Sequence, residues 1–175
     1  MSATLLLALA LSLQATVPPS AGGPCALATG LREALQTRFG TSRVLNASDL
    51  FEDERALFKA DHPGACPGVA SGRFFGDKER PALALVLLNG GPKANVRLVV
   101  ARPALSAWTF HELDEIATGS TAVALRGGPG KFVDSRDPAR TRRTDADVVR
   151  LLSLETWERV YLWTGRTFEA FHVSP

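Results

Sequence analysis

Two short N-terminal helices packed on a mainly antiparallel sheet of about six to seven strands, an α+β fold, is the architecture the sequence predicts. Three observations predict it. Apolar residues recur every four positions through residues 26–39, and a second helical pattern with an acidic start runs to Ala60. Beyond residue 66 the pattern changes to short runs rich in Val, Leu and aromatic residues, separated by Gly, Pro and Asn. Ala82 to Leu88, ALALVLL, is apolar at both odd and even positions, which is the signature of a central strand covered on both faces. A chain of 175 residues fits one domain and leaves no room for two good cores.

Taken in order, the chain begins with a leader. No charged side chain precedes Arg32, and Ala3 to Ala15 is apolar or hydroxyl-bearing apart from Gln14. That run is shorter than the ~20 apolar residues a bilayer-spanning helix needs. The segment after it, Val17-Pro18-Pro19-Ser20-Ala21-Gly22-Gly23, is small and helix-breaking. Residues 1–23 therefore read as a secretory signal peptide cut between Ala15 and Gly23. Residues 24–175 read as a single secreted domain, periplasmic or extracellular, with no membrane association after cleavage. Retention of the leader as an anchor is the rival reading. Pro24 stands where a lipobox wants a small residue before Cys25, which disfavours lipidation. Two cysteines in an exported chain are more often a disulfide than a metal or redox pair. A Cys25–Cys66 bond closes a loop of about 42 residues, worth roughly 4 kcal/mol in chain entropy; two separately buried thiols are the alternative.

Leu27, Leu31, Leu35 and Phe39 form one stripe of the first helix, and Gly40 ends it. Arg43 to Leu45 suits a short strand. Ser48-Asp49 with Glu52 caps a second helix, in which Leu50, Phe51, Leu57 and Phe58 fall on one side and which stops at Asp61-His62-Pro63-Gly64. After the central strand, Asn95 to Ala101 alternates Val96, Leu98 and Val100 inward. Ala107 to Leu113 alternates Trp108 and Phe110 against Thr109 and His111 as a strand, although Leu105, Trp108 and Ile116 also fit a helix. Thr121 to Leu125 is a strand, and Arg126 to Gly130 a loop. Polar, proline-broken Asp134 to Ala146 reads as a mobile loop. Val148–Leu154, Arg159–Trp163 and Arg166–Val173 read as three strands, with Thr164-Gly165 at the tip of the last hairpin.

The stretch from Cys66 to Gly91 also carries a resemblance. GRFFGDKERPALALVLL resembles the FG-GAP or integrin-type repeat, whose loop of the form GDFDGDGxxD runs into an apolar strand. Gly72, Phe74, Gly76 and Asp77 match it, whereas Arg73, Phe75 and Ala82 stand where the motif has acids. Asp77 and Glu79 cannot supply the ~6 to 8 oxygens that calcium takes. The resemblance thus implies a strand-loop-strand geometry with a degenerate loop and no metal. The CPG-x-x-x-G-x-F segment together with a C-terminal YxW hairpin is similar to small exported bacterial proteins of unknown function, which implies no activity.

Composition narrows the chemistry. A net charge of +2, evenly spread, does not suit nucleic acid or an anionic membrane. Arg136, Arg140, Arg142 and Arg143 are interleaved with Asp137, Asp145 and Asp147 and read as solvated. His111-Glu112-Leu113-Asp114-Glu115 begins like HExxH but has Glu115 at the second imidazole position. Gly128-Pro129-Gly130-Lys131 lacks the first glycine of a phosphate loop, where Leu125 stands, and its hydroxyl, where Phe132 stands. No GxSxG elbow occurs. Asn46-Ala47-Ser48 is a glycosylation sequon with meaning only in a eukaryotic source. No catalytic residue, metal ligand or cofactor emerges. Trp157, Tyr161 and Trp163, crowded with Phe168 and Phe171 near the C-terminus, are the candidate interface residues, with burial between sheet and helices as the competing reading. The functional expectation is a non-enzymatic binding or envelope-associated module; its partner is left open, with another envelope protein as one candidate. The alternative is a small secreted hydrolase or hydrolase inhibitor, using Asp77, Glu79 or a histidine in a cleft. Convergence of two of His62, His111 and His172 favours the enzyme.

Overall fold

The computed structural model describes residues 23, 25–76, 80–89, 95–105, 107–116, 122–154 and 156–173. In chain order these form α1 (Thr29–Phe39), β1 (Arg43–Val44), α2 (Glu52–Asp61), β2 (Val69–Gly72), β3 (Ala82–Leu88), β4 (Val96–Pro103) and β5 (Trp108–Ile116), followed by β6 (Ala122–Gly127), β7 (Gly130–Asp134), β8 (Asp137–Thr144), β9 (Val148–Ser153), β10 (Trp157–Trp163) and β11 (Phe168–Val173). A single 3₁₀ turn, Ala47–Asp49, precedes α2 and is capped by the Asn46 side chain. The α2 start is closed by Glu54, whose carboxylate accepts from the Phe51 N–H at 3.1 Å. Gly40 ends α1 at φ +63°, donating to the Gln36 carbonyl at 3.0 Å.

The strands pair antiparallel in three sheets. In the first, β3, β4 and β5 are successive neighbours, and the far edge of β3 is shared by two short strands. β1 lies opposite Leu87 and Leu88, and β2 opposite Ala82 to Leu85. Val86 sits at their junction: its carbonyl accepts from the Leu45 N–H and its own N–H donates to the Gly68 carbonyl, both at 2.9 Å. Only glycine fits this junction, because a Cβ on Gly68 would lie 2.1 Å from the Leu45 carbonyl oxygen. The second sheet runs β11-β10-β9-β6, and β7 with β8 forms a two-stranded ribbon against it.

β3 is covered on both faces. Leu85 and Leu87 pack with Leu31 and Leu35 of α1, and with Val99 and Ala101 of β4. Ala82, Ala84 and Val86 face the second sheet, meeting Val123, Val149, Leu151 and Tyr161 in the main core. The disulfide between Cys25 and Cys66, Cα atoms 5.1 Å apart, ties the lead-in of α1 to the segment before β2. A third small cluster of Val148, Val160, Leu162 and Phe171 packs under Phe132 of the ribbon.

The α+β expectation is corrected by this arrangement. The described residues hold two α-helices and eleven strands in three antiparallel sheets, so the fold is mostly β, and helices do not form the layer opposite the sheet. What covers the inner face of β3 is a second sheet; α1 covers only the outer face. The polar stretch Asp134 to Ala146, expected as a loop, supplies β8 and the end of β7. Its polarity has a simple origin, since a strand on an exposed ribbon sees solvent on most sides and every residue of β8 except Thr144 is exposed. The expected Arg126–Gly130 loop shrinks to Gly128 and Pro129, between β6 and β7. No helix among the described residues is long and apolar enough to cross a membrane, and the expected leader, Gly23 apart, lies outside them.

Candidate functional site

The two main sheets join differently along their two sides. On one side β6 approaches β2, and the Ala124 N–H donates to the Pro67 carbonyl at 2.8 Å. On the other, β5 faces β10 and β11 with no backbone hydrogen bond between them among the described residues. Side chains alone close that seam. Their placement depends on an irregularity in β5: the pairing register with β4 shifts between Leu98 and Val99, so that Leu98 faces Asp114 while Val99 faces Glu112. The extra residue, Leu113, reverses the alternation. His111 points inward before it, and Asp114 and Ile116 after it.

Asp114 is thereby aimed at the second sheet. Arg159 Nη1 donates to Asp114 Oδ2 at 2.5 Å, and the Tyr161 hydroxyl donates to the same oxygen. Tyr161 is 2 % exposed; burial first, and then its bond to Asp114, pushes the phenol well above its ordinary range. Arg159 also stacks over Trp157, 4.9 Å from the ring centroid. This group is a structural clasp, with every charged member engaged.

Nearer the end where β4 finishes and β5 begins, four rings converge. Phe75 lies 4.8 Å from Trp163, 5.1 Å from His111 and 5.3 Å from Phe168, mostly edge to face. Trp163 lies 5.1 Å from Phe168 and 5.7 Å from His111. The Arg102 guanidinium sits over Phe75 at 4.6 Å. All four rings are half-buried rather than sealed. Burial, with a smaller contribution from Arg102, holds His111 below its usual value, so the imidazole is neutral at pH 7. Neither of its nitrogens hydrogen-bonds to another described residue and neither is fully buried. The cluster therefore places partly exposed rings beside a neutral donor-acceptor and a cation, a set suited to binding through apolar contact and directed hydrogen bonds.

The residues singled out in the sequence fall in separate places. Trp163 belongs to the ring cluster, Trp157 carries the Arg159 stack, and Tyr161 is turned into the core. Asp77 and Glu79 lie outside the described residues, while Phe74 and Phe75 just before them enter the core and the ring cluster respectively. The three histidines do not converge: His62 stacks on Phe58 at the end of α2, and His172 stands 3.9 Å from Asp134 in β7. Among the described residues no group of three His, Cys, Asp or Glu side chains could hold a metal ion. Sequence reasoning missed Phe75, His111 and Arg102 as partners. The available signal was the alternation of Thr109 and His111 against Trp108 and Phe110, but nothing in the sequence shows that a second sheet brings Trp163 opposite.

A groove of about 380 Å³ lies elsewhere, beside the disulfide, lined by Cys25, Leu27, Leu35, Gln36 and Leu87 among others. Its arginines are committed: Arg32 donates to the Leu27 carbonyl, and Arg43 forms a two-pronged pair with Asp49 at 2.6 Å. Exposed Gln36 and Thr41 on its wall have no side-chain hydrogen bond among the described residues, but the groove gathers no rings, and the ring cluster is the better candidate. No family model, no curated protein and no solved structure matches this chain.

Proposed function

We propose that the protein is an exported, non-enzymatic binding module and that the Phe75–His111–Trp163–Phe168 cluster is its recognition surface. One observation carries this reading: three half-buried rings, Phe75, Trp163 and Phe168, gather around a neutral histidine at the side-chain-closed seam, with Arg102 alongside. Rings of this kind, with polar edges in reach, are the usual anchors of binding surfaces. The ligand class that fits has a flat apolar face to lie on Trp163 or Phe168 and a hydrogen-bonding group for His111. Export rests on the leader-like residues 1–23 and is supported by the disulfide, which persists in oxidising compartments.

The test is a glycan and peptide array probed with the wild-type protein and with Trp163→Ala and His111→Gln, each first shown to unfold at the wild-type temperature within a few degrees. Ligands retained by the wild type and weakened at least tenfold in Trp163→Ala support the assignment. Identical array profiles for wild type and both variants sink it.

A further inference from the structure

The ribbon of β7 and β8 carries a second, independent surface, and its charges are distributed by face. On the side turned to the second sheet, Arg140 pairs with the buried Asp134 at 3.0 Å and covers the Phe171 ring, and Arg142 pairs with Glu169 at 3.0 Å. On the opposite side Lys131 and Arg143 face each other directly across the two strands, and neither has a carboxylate partner among the described residues. Like charges in directly opposed positions destabilise a strand pair, so the folded ribbon alone gives no reason for this pairing. The outer edge of β8 is also open among the described residues. The strand pairs only with β7 among the described residues, and its start is already closed by Pro138, which has no N–H, and by Ala139, whose N–H donates to Asp137 Oδ1 at 3.2 Å. That leaves Arg140 to Thr144, about 16 Å at ~3.3 Å per residue, with backbone groups turned outward at alternate positions.

We infer that this edge accepts an extended acidic segment of a partner protein as an added strand. The backbone of Arg140–Thr144 would supply the ladder, Arg143 would meet a carboxylate on the outward face of the added strand, and Lys131, one strand further at the same level, would add its charge through its long side chain. The same charges exclude the commonest wrong partner. A second copy of β8 docking on this edge brings arginine against arginine, so the edge resists self-association while remaining open to an acid-bearing strand. Nothing in this inference depends on the ring cluster, which lies on the inner face of β10 and β11.

The experiment uses the purified protein with three probes: a fluorescein-labelled eight-residue peptide alternating glutamate and threonine, its glutamine counterpart, and inorganic polyphosphate. Binding is followed by anisotropy at low salt, and amide exchange by NMR. The acidic peptide is expected to bind at least tenfold more tightly than the glutamine peptide and to slow exchange of amides within Arg140–Thr144. Lys131→Glu is expected to weaken binding at least tenfold while leaving the thermal midpoint unchanged or raised, because it converts the opposed cations into an ion pair. A site that were merely structural would move the other way. Equal binding of the glutamine peptide, no binding of the acidic peptide at millimolar concentration, or polyphosphate binding as well as the acidic peptide without slowed β8 exchange each overturns the inference.

Discussion

Removing the Tyr161 hydroxyl is the sharpest probe of the seam. The phenol is 2 % exposed and donates to a carboxylate that also holds Arg159, so no water replaces Asp114 when the fold is intact. A hydrogen bond to a charged acceptor contributes about 1.5–3 kcal/mol. In Tyr161→Phe the carboxylate keeps Arg159, and the expected loss is about 2 kcal/mol. Asp114→Ala removes both bonds and strands the phenol without an acceptor. Arg159 stays 29 % exposed and stacked on Trp157, which limits the damage, so about 3–4 kcal/mol is expected. Because Tyr161 and Asp114 are bonded directly to each other, the double variant should lose at least 1 kcal/mol less than the sum of the singles, within the usual range of about 0.5–3 kcal/mol for touching residues. Equilibrium urea unfolding followed by tryptophan fluorescence and circular dichroism, with unchanged slopes, measures all three. Arg142→Ala, which breaks an exposed pair with Glu169, is the control and should cost no more than about 1 kcal/mol. A Tyr161→Phe loss under about 0.5 kcal/mol, or strict additivity, refutes the clasp.

Three further outcomes are expected. Replacing both cysteines with alanine removes the Cys25–Cys66 link across a separation of 41 residues and should lower stability by about 4 kcal/mol on the chain-entropy estimate; a drop below about 1 kcal/mol would mean that the unlinked chain keeps α1 docked without it. Gly68→Ala puts a methyl 2.1 Å from the Leu45 carbonyl oxygen, both of them backbone-anchored, and should cost about 3 kcal/mol, with the β1 amides losing hydrogen-exchange protection first. His111, held below its ordinary value by burial and Arg102, and His172, lowered chiefly by burial and then by Arg136, bind fewer protons folded than unfolded. Stability should therefore fall as pH drops below about 6.5, well above the range in which Asp49, lowered mainly by its bond to Arg43, loses its contribution. His111→Phe should lose less stability than wild type between pH 7.5 and pH 5; an equal loss in both proteins excludes His111 as a source.

What was legible in the sequence were the features set by local period. Leu31 and Leu35 announce α1 because a buried helical stripe repeats near 3.6 residues, although the helix starts at Thr29 and leaves Leu27 outside it, and ALALVLL announces a twice-covered strand because both parities are apolar. The pattern says that two faces are covered but not by what. Leucines at 85 and 87 receive α1, whereas Ala82, Ala84 and Val86 receive a sheet; the small residues hint at a closer layer, a hint that carries no topology. Polarity misled at Asp134–Ala146, where composition suggests a loop and the backbone makes an edge strand. The candidate site was hardest to read. Its rings come from β5, β10, β11 and the turn after β2, joined by non-local pairing, and the bulge that turns Asp114 inward leaves no mark in a run such as HELDEI.

The last hairpin shows how one local rule separates two surfaces. Along β11, Phe168 and Ala170 point to the seam while Glu169, Phe171 and Val173 point to the ribbon, and the register with β10 extends both sets, pairing Trp163 with Phe168 and Val160 with Phe171. The inner set supplies rings to the candidate recognition surface, and the outer set holds the ribbon through Arg140 over Phe171 and Arg142 on Glu169. A strand has period two, so neighbouring substitutions on this hairpin act on different sites. Phe168 bears on ring-cluster binding and Glu169 on ribbon position, although only one peptide bond separates them. The ribbon in turn is held by its inward cations, while the outward Lys131 and Arg143 have no carboxylate partner among the described residues. One hairpin thus lines the candidate site with one face and holds the ribbon with the other, without sharing a side chain between the two.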